Sequence, residues 1–163
     1  MYTQHAKLID AMIEYDKGDA RRIQHFIKVH DLAATIAVLE NADEETTFIL
    51  ETAAILHDIG IHISEAKYGS ASGHYQELEG PAEAEKLMQK VGGYIASQIE
   101  RVMYLIGHHH TYNNIDGIDY QILVEADFLV NLYEDNVSAE AVKNARRQIF
   151  RTSAGTRLLD NMF

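Results

Sequence analysis

Apolar residues in this chain recur at intervals of three and four almost from end to end, and nowhere alternate at two. That spacing lines one face of a helix and cannot line one face of a strand. It predicts an all-α fold, a single-domain bundle of about six to eight helices over residues 1–163. A first helix runs from about Thr3 to Asp16 on Leu8, Met12, Ile13 and Tyr15, and stops at Gly18. A second runs from near Asp19 to Glu40 on Ile23, Phe26, Ile27, Ala33, Ala37 and Val38. Asp43 reads as the N-cap of a third, which carries Phe48, Ile49, Ala53, Ile55 and Leu56 to a stop at Gly60. Residues 61–80 lack a clear period and read as a long loop. Pro81, the sole proline, is placed at the first position of a helix that ends at Gly92-Gly93. Further helices are predicted over about 94–107, around Ile122–Leu132, after Ser138, and at Thr156–Leu159.

Composition narrows the chemistry. There is no cysteine, which excludes a disulfide scaffold, a thiolate zinc site, an iron–sulfur cluster and a cysteine nucleophile. Lys and Arg number 14 against 25 Asp and Glu, a net charge of −11. That field repels nucleic acid and anionic membranes, so neither is an expected partner. A small anionic substrate would need local cations, most simply a metal. No segment approaches the ~18 apolar residues of a membrane span, and no leader is recognisable, so a cytoplasmic location is expected.

Four places concentrate polar chemistry in apolar surroundings. Ala53-Ala54-Ile55-Leu56-His57-Asp58-Ile59-Gly60 puts a His-Asp pair on an apolar last turn. Either the pair caps carbonyls, or both side chains hold a cation, which the negative end of the helix dipole favours. His25 lies at the edge of the second helix's apolar stripe; His30, about 140° away, is expected to face out. Asp127 sits in the run Leu123-Val124-Glu125-Ala126-Asp127-Phe128-Leu129, where an unpaired carboxylate is costly, and Asn131 is one turn on. Gly107-His108-His109-His110 follows an apolar stripe; it is either a solvated turn or a helix end whose histidines converge.

In order these read His … His-Asp … Asp. The segments around Arg22-Ile23-Gln24-His25, Ala54–Gly60 and Ala126-Asp127-Phe128-Leu129 resemble the HD-domain superfamily, all-α metal-dependent phosphohydrolases, over about residues 20–133. The helices of 138–163 read as appended. The resemblance implies that His25, His57, Asp58 and Asp127 bind one divalent metal. It further implies a second metal bridged by Asp58, with His74 and His109 or His110 (His108 the alternative) as its ligands.

Two imidazoles and two carboxylates suit Fe, Mn, Zn, Co or Ni, one ion or two. Such an ion acidifies a water for attack on phosphorus, and Asp58 can orient that water or take its proton. Lys67 is the expected phosphate contact on the catalytic side, with Arg21, Arg22 and Lys28 near His25 as others. Tyr68, Tyr75 and Tyr112 are candidates to stack on a base or sugar. The expected activity is hydrolysis of a small phosphoester, a nucleotide among the candidates, by a phosphomonoesterase or phosphodiesterase. Two alternatives are a di-iron oxygenase of the HD fold and a non-catalytic metal- or nucleotide-binding module. The apolar Leu158-Leu159 end is a candidate face for a second copy.

Overall fold

The computed structural model describes residues 1–163, which form nine helices and no strand. In chain order they are α1 (Thr3–Tyr15), α2 (Ala20–Leu39), α3 (Glu44–Leu56), α4 (Ile61–Tyr68), α5 (Gly73–Val91), α6 (Ala96–Ile106), α7 (Ile118–Glu134), α8 (Ala139–Gln148) and α9 (Ser153–Met162). Polar caps set several starts. Asp19 accepts from Arg22 N–H at 3.1 Å, Asp43 from Thr46 N–H at 2.8 Å, and Ser138 from Ala141 N–H at 3.2 Å.

The centre is α2 packed against α3 and α7. α7 is covered on nearly every side, burying Ile122, Leu123, Val124, Ala126, Leu129 and Val130, which explains its almost unbroken apolar run. α2 buries Phe26, Val29, Ala33, Ile36 and Ala37. No helix is long and apolar enough to cross a membrane.

Three expectations are corrected. The expected loop at 61–80 is mostly helical and supplies α4, which takes the helix count above the expected six to eight. Only Ile61 and Ser64 of α4 are buried, so its pattern shows no stripe. Pro81 does not open a helix but lies inside α5. Gly80 before it has no Cβ to meet the proline ring, which lets the backbone stay helical there. The stop expected at Gly60 falls at Leu56 instead. Two tight turns follow, Ile59 N–H to Leu56 O at 2.9 Å and Ile61 N–H to Asp58 O at 3.0 Å. Gly60 matters for packing instead, since a Cβ there would stand 2.9 Å from the Gln76 carbonyl oxygen and from Gly80 N. Only glycine lets the α3–α4 turn approach the α5 backbone this closely, and that approach brings α5 to the end of α3 that carries His57 and Asp58.

Candidate metal centre

Four side chains from three helices meet at one point. His25 comes from the second turn of α2, His57 and Asp58 from the turn that ends α3, and Asp127 from the middle of α7. His25 Nε2 lies 3.2 Å from His57 Nε2, 3.1 Å from Asp127 Oδ1 and 3.4 Å from Asp58 Oδ2. His57 Nε2 lies 3.5 Å from Asp58 Oδ2 and 3.5 Å from Asp127 Oδ1. His25, His57 and Asp127 are buried, and Asp58 is partly open to the cleft above.

The outer nitrogens decide what the inner ones can do. His57 Nδ1 donates to Ala54 O at 2.8 Å, and His109 Nδ1 donates to Ile106 O at 2.7 Å. His25 Nδ1 donates to Glu134 Oε1 at 3.2 Å. With a proton held on Nδ1, each ring turns its Nε2 inward, where it can give a lone pair to an ion or carry a second proton. His109 Nε2 is buried with no hydrogen-bond partner, 3.6 Å from Asp58 Oδ1. Imidazole Nε2 atoms facing carboxylate oxygens call for positive charge between them, a proton on each ring or one shared metal ion, and two imidazoles with two carboxylates make a donor set that fits a divalent ion. The carboxyl-terminal end of α3 adds its partial negative charge.

With no ion between them, protons on the imidazoles balance the two carboxylates. Burial opposes the carboxylate of Asp127, but hydrogen bonds from His25 and His57 outweigh it and hold the group well below its usual range. Asp58 is likewise held low, against burial, by His57 and His109. Burial also opposes charge on His57, yet Asp58 and Asp127 raise it to about 9. His110 moves the other way, down to about 4, through burial and its neighbour His109. It is therefore neutral near pH 7.

The second cluster differs from expectation. Asp58, His109 and His110 come close enough to share an ion. His74 does not join them: it is exposed on α5, beside the Tyr75 ring. The α5 residue in the cleft is Gln76, two positions on and so about 200° around the helix. Its Nε2 donates to Ala71 O at 2.8 Å, which turns Oε1 to His110 Nε2 at 3.0 Å. His108 also faces elsewhere, stacked on Tyr104 with Nδ1 donating to Tyr104 O at 2.7 Å.

Lys67 is not at the cleft. It is exposed on α4 and paired with Glu79 at 3.0 Å, because the helix expected to be a loop points it away. Tyr68 and Tyr75 stack on each other 4.1 Å apart, and Tyr112 sits edge-on to Phe128. His30 does not face out; it is buried and meets Glu51 at 2.9 Å.

Above the four groups lies a cleft of about 220 Å³, lined by Arg21, Arg22, Gln76, His110, Asn131 and Glu134 among others. Arg22 is tied to Glu65 at 3.1 Å, whereas Arg21 makes only a 3.8 Å approach to Asp135. Asn131 donates to Asp127 Oδ1 at 2.9 Å and fixes that carboxylate. Glu134 and Gln76, which sequence reasoning missed, carry no motif signal; Glu134 lies seven residues past Asp127, on the same face of α7. Glu134→Ala removes the acceptor that sets the His25 tautomer. It is expected to weaken metal affinity about 10–100-fold with the fold unchanged, as read by competition with a fluorescent chelator.

Among curated proteins none matches this chain. A crystal structure from an uncultured Thermotogales bacterium, described as a predicted HD superfamily hydrolase, superposes with a TM-score of 0.67. It is 25% identical, over 96% of this chain and 83% of that one. The family model of the HD domain matches residues 22–146, a span that contains His25, His57, Asp58 and Asp127. The chain therefore belongs to the HD-domain family.

Proposed function

We infer that this protein is a metal-dependent phosphohydrolase acting on a small phosphorylated molecule. The observation that carries the reading is the convergence of His25, His57, Asp58 and Asp127 at the floor of a polar cleft, with each imidazole tautomer fixed from behind. The superposed crystal structure, described as a hydrolase, supports it.

When bound, a divalent cation supplies positive charge to a phosphoryl oxygen and lowers the pKa of water. The rest is done by the chain. His25, His57 and Asp127 hold the ion's place, and Asn131 keeps Asp127 from rotating. Asp58 is partly open to the cleft and can orient an incoming water by accepting its hydrogen bond. Arg21 and Arg22 on the cleft wall offset the −11 field where an anion enters. Ile61 is the one apolar side chain of the lining.

The test is phosphate release from p-nitrophenyl phosphate and from nucleoside monophosphates, with Mn²⁺, Co²⁺ or Ni²⁺ added to stripped protein. Metal-dependent release that stops on chelation is expected. Bis(p-nitrophenyl) phosphate run beside them separates monoesterase from diesterase. Bound metal without hydrolysis of any ester overturns the reading. The second cluster at Asp58, His109 and His110 favours one alternative, a two-iron oxygenase; oxygen-dependent loss of an organic substrate, without phosphate release, by protein holding two irons would point there instead.

A further inference from the structure

A third group of side chains able to ligate a metal lies away from the cleft, where α1, α2 and α3 meet. His5 from α1, His30 from α2 and Glu51 from α3 are all buried, and their ligand atoms lie within 4.8 Å of one another. Glu51 and His57 share α3 but are six residues apart, about 9 Å along the axis.

The tautomer of His5 can be read from its neighbours. Thr52 donates its hydroxyl proton to Phe48 O at 2.9 Å. His5 Nε2 faces that same carbonyl at 3.2 Å and Thr52 Oγ1 at 3.1 Å, so both groups in front of it accept. The proton of the neutral ring is therefore on Nε2. Its Nδ1 then presents a lone pair, fully buried and without a hydrogen-bond partner, to Glu51 Oε1 at 3.5 Å. His30 Nε2 reaches the same oxygen at 2.9 Å. Stacking on Phe48, with ring centroids 4.8 Å apart, holds the His5 ring in this orientation.

A lone pair aimed at a carboxylate calls for a cation between them. A charge-assisted hydrogen bond would draw the pair to about 2.7–2.9 Å. A tetrahedral ion with bonds of about 2.0–2.2 Å spaces its ligands by roughly 3.3–3.5 Å, as found between His5 and Glu51, whereas His30 at 2.9 Å is at hydrogen-bond distance and would give up its Nε2 proton and draw back by about 0.5 Å on binding an ion. An apolar groove of about 560 Å³ runs past His30, which places one of the three residues beside open space.

We propose that His5, His30 and Glu51 form a structural zinc-type site that ties α1 to α2 and α3, independent of the cleft.

The test uses the full chain carrying His57→Ala and Asp58→Asn, so that the cleft does not compete. After Zn²⁺ loading and gel filtration it should retain one ion per chain, and Co²⁺ should give the visible absorption of a tetrahedral site. At a hundredfold excess over Kd the melting midpoint should rise by about 5–10 °C. Adding Glu51→Gln should abolish both effects. Retention of no ion, or equal retention after Glu51→Gln, overturns the proposal and leaves a buried proton-bridged triad. Should Glu51→Gln fail to fold, the parent chain decides. Zn²⁺ must shift the imidazole nitrogen resonances of His5 and His30, and unmoved resonances overturn the proposal.

Discussion

Asp58→Asn is expected to lower phosphoester hydrolysis about a thousandfold while leaving the helical fold intact. The two Asp58 oxygens face different clusters, Oδ2 toward His25 and His57, Oδ1 toward His109. The amide keeps the shape but removes the charge, the proton acceptor and one of the two cation-binding oxygens. It also turns an N–H₂ group toward imidazole nitrogens that are positioned to ligate. Asp58 is partly exposed, so its neutralisation costs the core little. Circular dichroism should be unchanged, and the loss should fall on kcat/KM. Lys67→Ala is the contrasting variant: its partner Glu79 is outside the cleft, and the rate should change less than about twofold. An Asp58→Asn protein as fast as the parent would remove the catalytic assignment.

The second large effect concerns stability. Glu125→Leu is expected to destabilise the protein by about 3–5 kcal/mol, measured by urea denaturation. The Glu125 carboxyl is fully buried in α7 and has no cationic partner. It accepts instead from Gln121 Nε2 at 2.8 Å, Arg151 N–H at 2.6 Å, Thr152 N–H at 2.9 Å and the Thr152 hydroxyl. This one group thus fastens the α8–α9 connection to the bundle. Leucine would leave those donors without acceptors in a dry place. Gly155 reports on the same packing, because a Cβ there would stand 2.0 Å from Glu125 Oε2 and 2.7 Å from Thr152 Oγ1. Gly155→Ala should therefore cost about 1–3 kcal/mol alone and clearly less beside Glu125→Ala, since the obstructing atom is then gone. Additive costs would argue against this account of the junction.

How much of this was legible in the sequence depended on whether a residue's role left a local mark. His57-Asp58 stands out because a polar pair on the apolar turn 53–60 needs a reason. Asp127 stands out for the same cause. α4 left no mark, since a helix that buries only Ile61 and Ser64 has no stripe to show. His30 misled for a geometric reason: the angle from His25 is right, but α3 and α7 cover α2 on two sides, so turning away from one neighbour turns toward another. Gln76 and Glu51 were invisible because an amide or a carboxylate on an amphipathic helix usually faces water. Their roles come from residues distant in sequence, and only the folded chain brings those together.

The size of the cleft also bears on selectivity. A cleft of about 220 Å³ lies at the small end of ligand sites, and its lining is charged and polar but for Ile61. Under the proposed function, a polar cleft of this size would sort its substrates by the charge of the head more than by the shape of the tail.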